Sequence, residues 1–367
     1  MAGSKNSSRW IFYLLYLSLS ASGIYYFHFS PASQIGARSL NALTSTSAPF
    51  AYPDHPNVII RRVYTGFSVP DSILSCIVTI FLAGPAGFSE HIRIQQINFL
   101  LNLGPLALVF SIESIRAKRW SLAVLYQSLG GAIIVPLYFV AHTYIFSQSD
   151  ATRPNPTRWA STILPTVAVA YILPTAILFY PFANIEYTML ATAVWQFSPV
   201  LINLVWVLLT RLAPAHTGES RSTGHILRQA HKVMGSLASL SHLTTLFACF
   251  SPSYPDITLS SVFWSGQTPK VSFSEAMNFI FQVDYLIVFA CSTLWCLQIR
   301  DRARRERNKA GRVTMDLLVL GASVVFLGPG ATVSWAVCAC EAGIDESLEK
   351  GLPLWTEKLM SDTSTVK

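Results

Sequence analysis

Apolar runs as long as a bilayer is thick recur along almost the whole chain, and nothing else in the sequence limits the fold as much. A helix rising ~1.5 Å per residue needs about 20 apolar residues to cross ~30 Å of hydrocarbon. About nine such runs can be drawn, over residues 10–28, 70–88, 96–114, 120–146, 160–180, 188–211, 230–250, 276–298 and 314–340. Only 12% of the residues are charged while 51% are hydrophobic, roughly half the charged fraction of a soluble domain. Backbone polar groups in hydrocarbon must be satisfied within their own segment, so runs of this kind form helices. The expected fold class is all-α, a polytopic transmembrane helical bundle with about eight or nine spans.

Two runs leave alternatives open. His231, Lys232 and several Ser and Thr dilute residues 230–250, which either cross among protein neighbours or lie on the surface. Lys5 and Arg9 precede the first run and Ser20 to Gly23 are small, which permits a cleaved leader; the aromatic stretch that follows favours an uncleaved anchor. The organisation expected is an anchor and polar loop over 1–69, a helical domain over 70–342 and a polar tail over 343–367.

The net charge is +7, with much of the excess in RDRARRERNKAGR, residues 300–312, which reads as a cytoplasmic loop. Anionic headgroups suit it better than nucleic acid, because no recognition module accompanies it. Nine spans with a cytoplasmic N-terminus put 211–232 and 300–312 inside and the tail after Glu341 outside. They also put Arg116, Lys118 and Arg119 outside, against the charge rule, so either an early span is miscounted or those cations have another job. Pro105, Pro136, Pro165, Pro174, Pro199 and Pro329 fall inside apolar runs, where each bends or breaks a helix and together they splay the bundle around a cavity.

Helical arithmetic groups the polar residues inside the runs, since positions eleven apart lie within ~20° of one another. Asn102 shares a face with Glu113, Gln127 with Tyr138, and Asp284 with Trp295. Gln196 and Asn203 lie near the stripe of Trp195 and Trp206, and Glu341 falls eleven residues beyond Gly330. An acid in a span is expensive and marks a functional site, although Glu113 and Glu341 also suit snorkelling at span ends and Asp284 a structural hydrogen bond. A carboxyl group in apolar surroundings keeps its proton and can act as an acid at neutral pH. Aromatic faces stabilise a cation that lacks an anionic partner. That set suits cationic cyclisation of a polyene. No Asp-rich run to hold Mg²⁺ against a diphosphate appears in the spans, nor a Walker, Rossmann, nucleophile-elbow or metalloprotease motif, so protonation is the start available and no cofactor is expected.

Five stretches then carry a resemblance: GPLALVFSIESIRAKRW, QSLGGAIIVPLYF, ILPTAILFYP with VWQFSPVLINLVW, FQVDYLIVFACSTLW, and FLGPGATVSWAVCACE. In this order, over about residues 70–342, the chain resembles the membrane-bound terpene cyclases of fungal meroterpenoid and indole-diterpene pathways. It departs from that pattern at Ala117-Lys118-Arg119 and at Cys340. The resemblance implies a lipophilic substrate, a farnesyl or geranylgeranyl chain, often epoxidised, on an aromatic or indole group, with an upstream epoxidase as pathway partner. It implies the endoplasmic reticulum as the membrane, no metal, and no nucleic-acid partner. Carried over, Glu113, Asp284 and Glu341 are the candidates for the acid, its supporting partner and the terminating base, with Asp284 the first choice as proton donor. Arg116 orients Glu113, and Asn102, Gln127, Tyr138, Trp195, Gln196, Asn203 and Trp295 line the substrate. A multi-pass transporter is the rival reading, and a receptor a third.

Overall fold

The computed structural model describes residues 4–45, 48–116, 129–146, 157–213, 223–266, 272–306 and 313–349. Among these the chain is all-α apart from one antiparallel hairpin, β1 (Ala51–Tyr52) with β2 (His55–Ile59). The helices are α1 (Ser4–His28), α2 (Pro31–Ser45), α3 (Ser68–Phe81), α4 (Glu90–Arg116), α5 (Gly131–Phe146), α6 (Thr157–Val167), α7 (Leu173–Leu178), α8 (Ile185–Trp195) and α9 (Ser198–Leu212). They continue as α10 (Thr223–Phe250), α11 (Leu259–Phe263), α12 (Phe273–Glu306), α13 (Val313–Leu327) and α14 (Pro329–Glu349). Five segments are long and apolar enough to cross a membrane, six if the bent pair α8 and α9 counts as one. Among the described residues this count does not confirm the eight or nine spans expected.

The molecule wears its apolar residues outside. Phe247 and Phe250 of α10 are 73% and 72% exposed, and α13 presents Leu317, Leu318, Val325 and Phe326 outward. Polar side chains such as Asn98, Asn102, Gln282 and Ser292 are buried within. A helix face with no core to meet and no water to face suits lipid.

Side-chain contacts fix the direction of each helix. Ser20 of α1 donates to the Ile133 carbonyl while Tyr16 stacks on Phe139, so α1 and α5 are antiparallel. The carboxylate of Asp284 meets Ala132 and Trp295 stacks on Phe139, so α5 and α12 run the same way. Met234 of α10 lies against Gly104, Ser334 of α14 against Gly235, and Cys338 bonds the Arg228 carbonyl, which makes α10 antiparallel to α14. The ends of α4 and α12, and the start of α1, therefore gather at one end of the bundle, called proximal here.

Two expected spans do not cross. Residues 70–88 are not one helix: α3 packs Phe81 against Phe281, 4.6 Å away, and the chain then turns back so that His91 meets Glu275 at the start of α12. α3 starts at the distal end, where Ser75 bonds Arg61 and Arg61 meets Glu186, and the chain is back there at His91, which removes one crossing. Residues 314–340 break at Gly328, whose φ of 91° is a left-handed value open to glycine. Thr332 then donates to Ser323 at 2.9 Å, which a straight helix nine residues long could not allow, so α13 and α14 form a hairpin. With α3 turned back, Arg116 falls at the same end as Arg300; Lys118 and Arg119 lie outside the described residues.

The polar loop expected between the anchor and residue 69 is α2 and the hairpin, packed on the start of α12 through Gly36 against Met277. Pro199 and Pro329 stand at helix starts, where a missing N–H costs nothing. Pro174 has no N–H to offer the carbonyl of Ala170, and the turn before it, Ala168–Ile172, is π-helical, the local break a proline leaves inside a helix.

Candidate active site

Helical spacing puts Phe110 and Glu113 on one side of α4, and Tyr138 and His142, one turn apart, on the facing side of α5. Trp295 of α12 closes the third side. Glu113 Oε2 lies 3.5 Å from His142 Nε2, and both side chains are about nine-tenths buried. Tyr138 meets Phe110 at 4.5 Å between ring centroids and His142 at 5.7 Å. Trp295 stands edge-on to His142 at 5.7 Å and stacks on Phe139 at 5.3 Å. Below them Tyr16 and Thr143 both donate to Gln298 Oε1, each at 3.2 Å. The result is one carboxyl group and one imidazole walled by aromatic rings.

Three of the expected site residues, Glu113, Tyr138 and Trp295, are therefore brought together. The Trp295 Nε1–H is buried with no hydrogen-bond partner, so an indole edge and face are offered inward rather than tied to a neighbour. His142 was missed because a lone histidine in an apolar run reads as core. Its place four residues after Tyr138 was the available signal.

Asp284 stands elsewhere and has a different environment. Its carboxylate accepts from the backbone N–H of Ala132 and of Gly131, the first amides of α5, which have no partner within their own helix. Gly130, with φ 90°, makes the turn into α5. A side chain at Gly131 would put its Cβ 3.0 Å from Asp284 Oδ1 and 2.9 Å from Val288 Cγ2. Asp284 is thus the cap of α5. Eleven residues of α12 separate it from Trp295, roughly 16 Å along the axis.

Asn102 is fully buried and bridges two helices. Its Nδ2 donates to Asn98, while its Oδ1 accepts from the Gly330 N–H at 3.0 Å and so caps α14. Glu341, 3% exposed, lies eleven residues beyond that contact on α14, as Glu113 does on α4, which sets the two acids at one level of the bundle. Trp195 belongs to a separate cluster: its Nε1 donates to Thr175 at 2.9 Å, with Phe81 and Tyr171 against its ring. Asn203 donates to the Pro199 carbonyl of its own helix. Gln196 donates to Thr192, leaving its Oε1 buried and unpaired at the 65° bend between α8 and α9. The Arg116 side chain and Gln127 lie outside the described residues.

A cavity of about 310 Å³ opens at the distal end between Val58, Phe88, Arg93, Phe182 and Ile185. Arg93 is 20 residues from Glu113 on α4, roughly 30 Å away, so this cavity does not reach Glu113.

Residues 10–341 match the family described as the CtvD domain. Terpene cyclase DEP1 of Fusarium langsethiae is 23% identical over 332 residues, which cover 80% of this chain and 89% of that protein. Terpene cyclase ascI of Acremonium egyptiacum is 24% identical, with 74% and 77% covered. FAD-dependent monooxygenase verC1 of Penicillium polonicum is 25% identical over 65% of this chain, a match that takes up only 31% of that larger protein. No solved structure matches the chain. With the family match running over most of its length, this chain belongs to the CtvD domain family, and its enzyme class is that of the terpene cyclases.

Proposed function

We propose that this terpene cyclase is an integral membrane enzyme of secondary-metabolite biosynthesis, seated in the endoplasmic reticulum, that protonates an epoxidised prenyl chain borne on an aromatic or indole group. Glu113 is the proton donor. The observation that carries the reading is the surroundings of Glu113, a buried carboxyl among Phe110, Tyr138, Phe139 and Trp295. Water is scarce there, and π faces lie where a tertiary cation would form after the oxirane C–O bond breaks.

Asp284 is a poorer donor, for a geometric reason. A substrate oxygen could take its proton only by displacing the amides of α5. Glu341 is kept as a supporting acid at the level of Glu113. The epoxide is supported by the match within an FAD-dependent monooxygenase, since flavin chemistry of that class delivers one oxygen atom to a substrate. The apolar exterior and the five long apolar helices support residence in the bilayer.

The test is to incubate membranes carrying the full chain with a phenol bearing a terminally epoxidised farnesyl chain. A cyclase converts it to a cyclic isomer of unchanged mass. Recovery of the intact epoxide on both sides of sealed vesicles would instead mark a transporter and end this reading.

A further inference from the structure

Cyclisation to an isomer needs as many protons returned as are given, and Glu113 gives one. We propose that His142 is the base that takes the final proton and reloads Glu113, so that one pair of side chains both starts and ends the reaction. This rests on Glu113 being the donor.

The balance is as follows. The Glu113 O–H passes its proton to the oxirane oxygen; the C–O bond breaks, leaving a hydroxyl group and a tertiary cation. Alkene π pairs close the rings and carry the cation along the chain. The last cation loses a proton, either from a neighbouring C–H whose electrons become the new double bond or from the hydroxyl that has captured it. His142 Nε2 accepts that proton. The imidazolium then faces the Glu113 carboxylate across 3.5 Å and hands the proton back. The product is an isomer, and no proton enters or leaves.

Three observations assign the step to His142. It is one-tenth exposed, so little water reaches it to compete for the proton. A neutral imidazole carries a ring nitrogen with a lone pair, whereas the walls around it, Phe110, Phe139 and Trp295, offer no basic atom. Its ring lies against Tyr138 and Trp295, the two faces suited to hold the cation, so base and cation share one chamber. Glu341, the terminating base suggested by the sequence, is on α14 instead.

Membranes with His142→Gln and, separately, His142→Asn test this against the same epoxyfarnesyl phenol, with the amount of protein in the membrane measured for each. Both substitutions keep a polar group beside Glu113 but are far weaker bases. The epoxide should still open, while the isomer falls about tenfold or more relative to products heavier by one water, the fate of a cation with no base at hand. A ratio equal to that of the unaltered enzyme in both variants would overturn the proposal. So would membrane-inserted variants that leave the epoxide intact, which would give His142 a part in opening it. Glu113→Gln separates the two ideas: an active Glu113→Gln enzyme removes the donor assignment, whereas a shift toward hydrated products in the histidine variants alone upholds the base.

Discussion

At the scale of the residue, Trp295 shows how an unsatisfied group informs function. Its indole N–H is buried without a partner, so Trp295→Phe loses no hydrogen bond and the protein should reach the membrane in normal amount. The benzene face is a weaker cation host, and kcat should fall roughly five- to tenfold with KM little changed; an unaltered kcat would exclude Trp295 from cation stabilisation. A second residue-scale expectation lies at the distal end, where Asp71 accepts from the Tyr64, Thr65 and Gly66 amides and the Thr65 hydroxyl. The Thr65 amide, first among these donors, holds its carboxyl below the usual carboxylate range. Because the folded value is depressed, the turn is fully held above about pH 4 and loosens as pH falls through the folded value. The protection of the amides of residues 64–67, their exchange taken relative to the intrinsic rate at each pH, should fall in acid, and Asp71→Asn should abolish that dependence. Of the site, Glu113, Tyr138 and Trp295 were legible because helical periodicity predicts which residues share a face. The His142 pairing was not, since it joins two helices whose mutual rotation no single sequence records.

At the scale of the element, close backbone approach decides what is tolerated. A Cβ at Gly330 would lie 2.8 Å from Asn102 Cα, an atom that cannot step aside. Gly330→Ala should therefore push α14 off α4 and lower the thermal stability of the detergent-solubilised protein by more than Asn102→Ala does. The latter removes the cap of α14 and should cost about 1–3 kcal/mol; the reverse order would mean that the Gly330 contact is loose. Three of the expected spans are broken, and each has glycine or proline at the break: Gly84-Pro85-Ala86-Gly87 after α3, Pro199 at the 65° bend between α8 and α9, and Gly328-Pro329-Gly330 between α13 and α14. Mean hydropathy over a window averages these residues away. The breaker residues themselves were visible, and turn chemistry was the signal to weigh against length.

At the scale of the whole molecule, the turn at α3 and the hairpin of α13 and α14 bring the ends of α4, α12 and α14 to the proximal end. Arg116 and Arg300 then share a side, as the positive-inside rule asks. Single cysteines at Asp301 and Thr223 should be labelled by a membrane-impermeant reagent from the same face of sealed vesicles, and cysteines at Ser89 and Ser253 from the other. Labelling of Ser89 and Asp301 from one face would restore the extra crossing. The all-α class was plain from the long apolar runs, because a segment in hydrocarbon must satisfy its backbone polar groups within itself. The number of crossings was not, because it depends on which breaks become turns.

We propose Glu113, and not the helix-capping Asp284, as the group that starts the reaction, and the most direct measurement compares Glu113→Gln with Asp284→Asn on the epoxyfarnesyl phenol. Gln cannot donate an acidic proton, so turnover should fall by about a hundredfold or more. Asn keeps an oxygen that can still accept from the amides of Gly131 and Ala132, so Asp284→Asn should retain turnover and give the same cyclic product. A Glu113→Gln enzyme near full activity, beside an Asp284→Asn enzyme that sits in the membrane and converts nothing, would contradict the account.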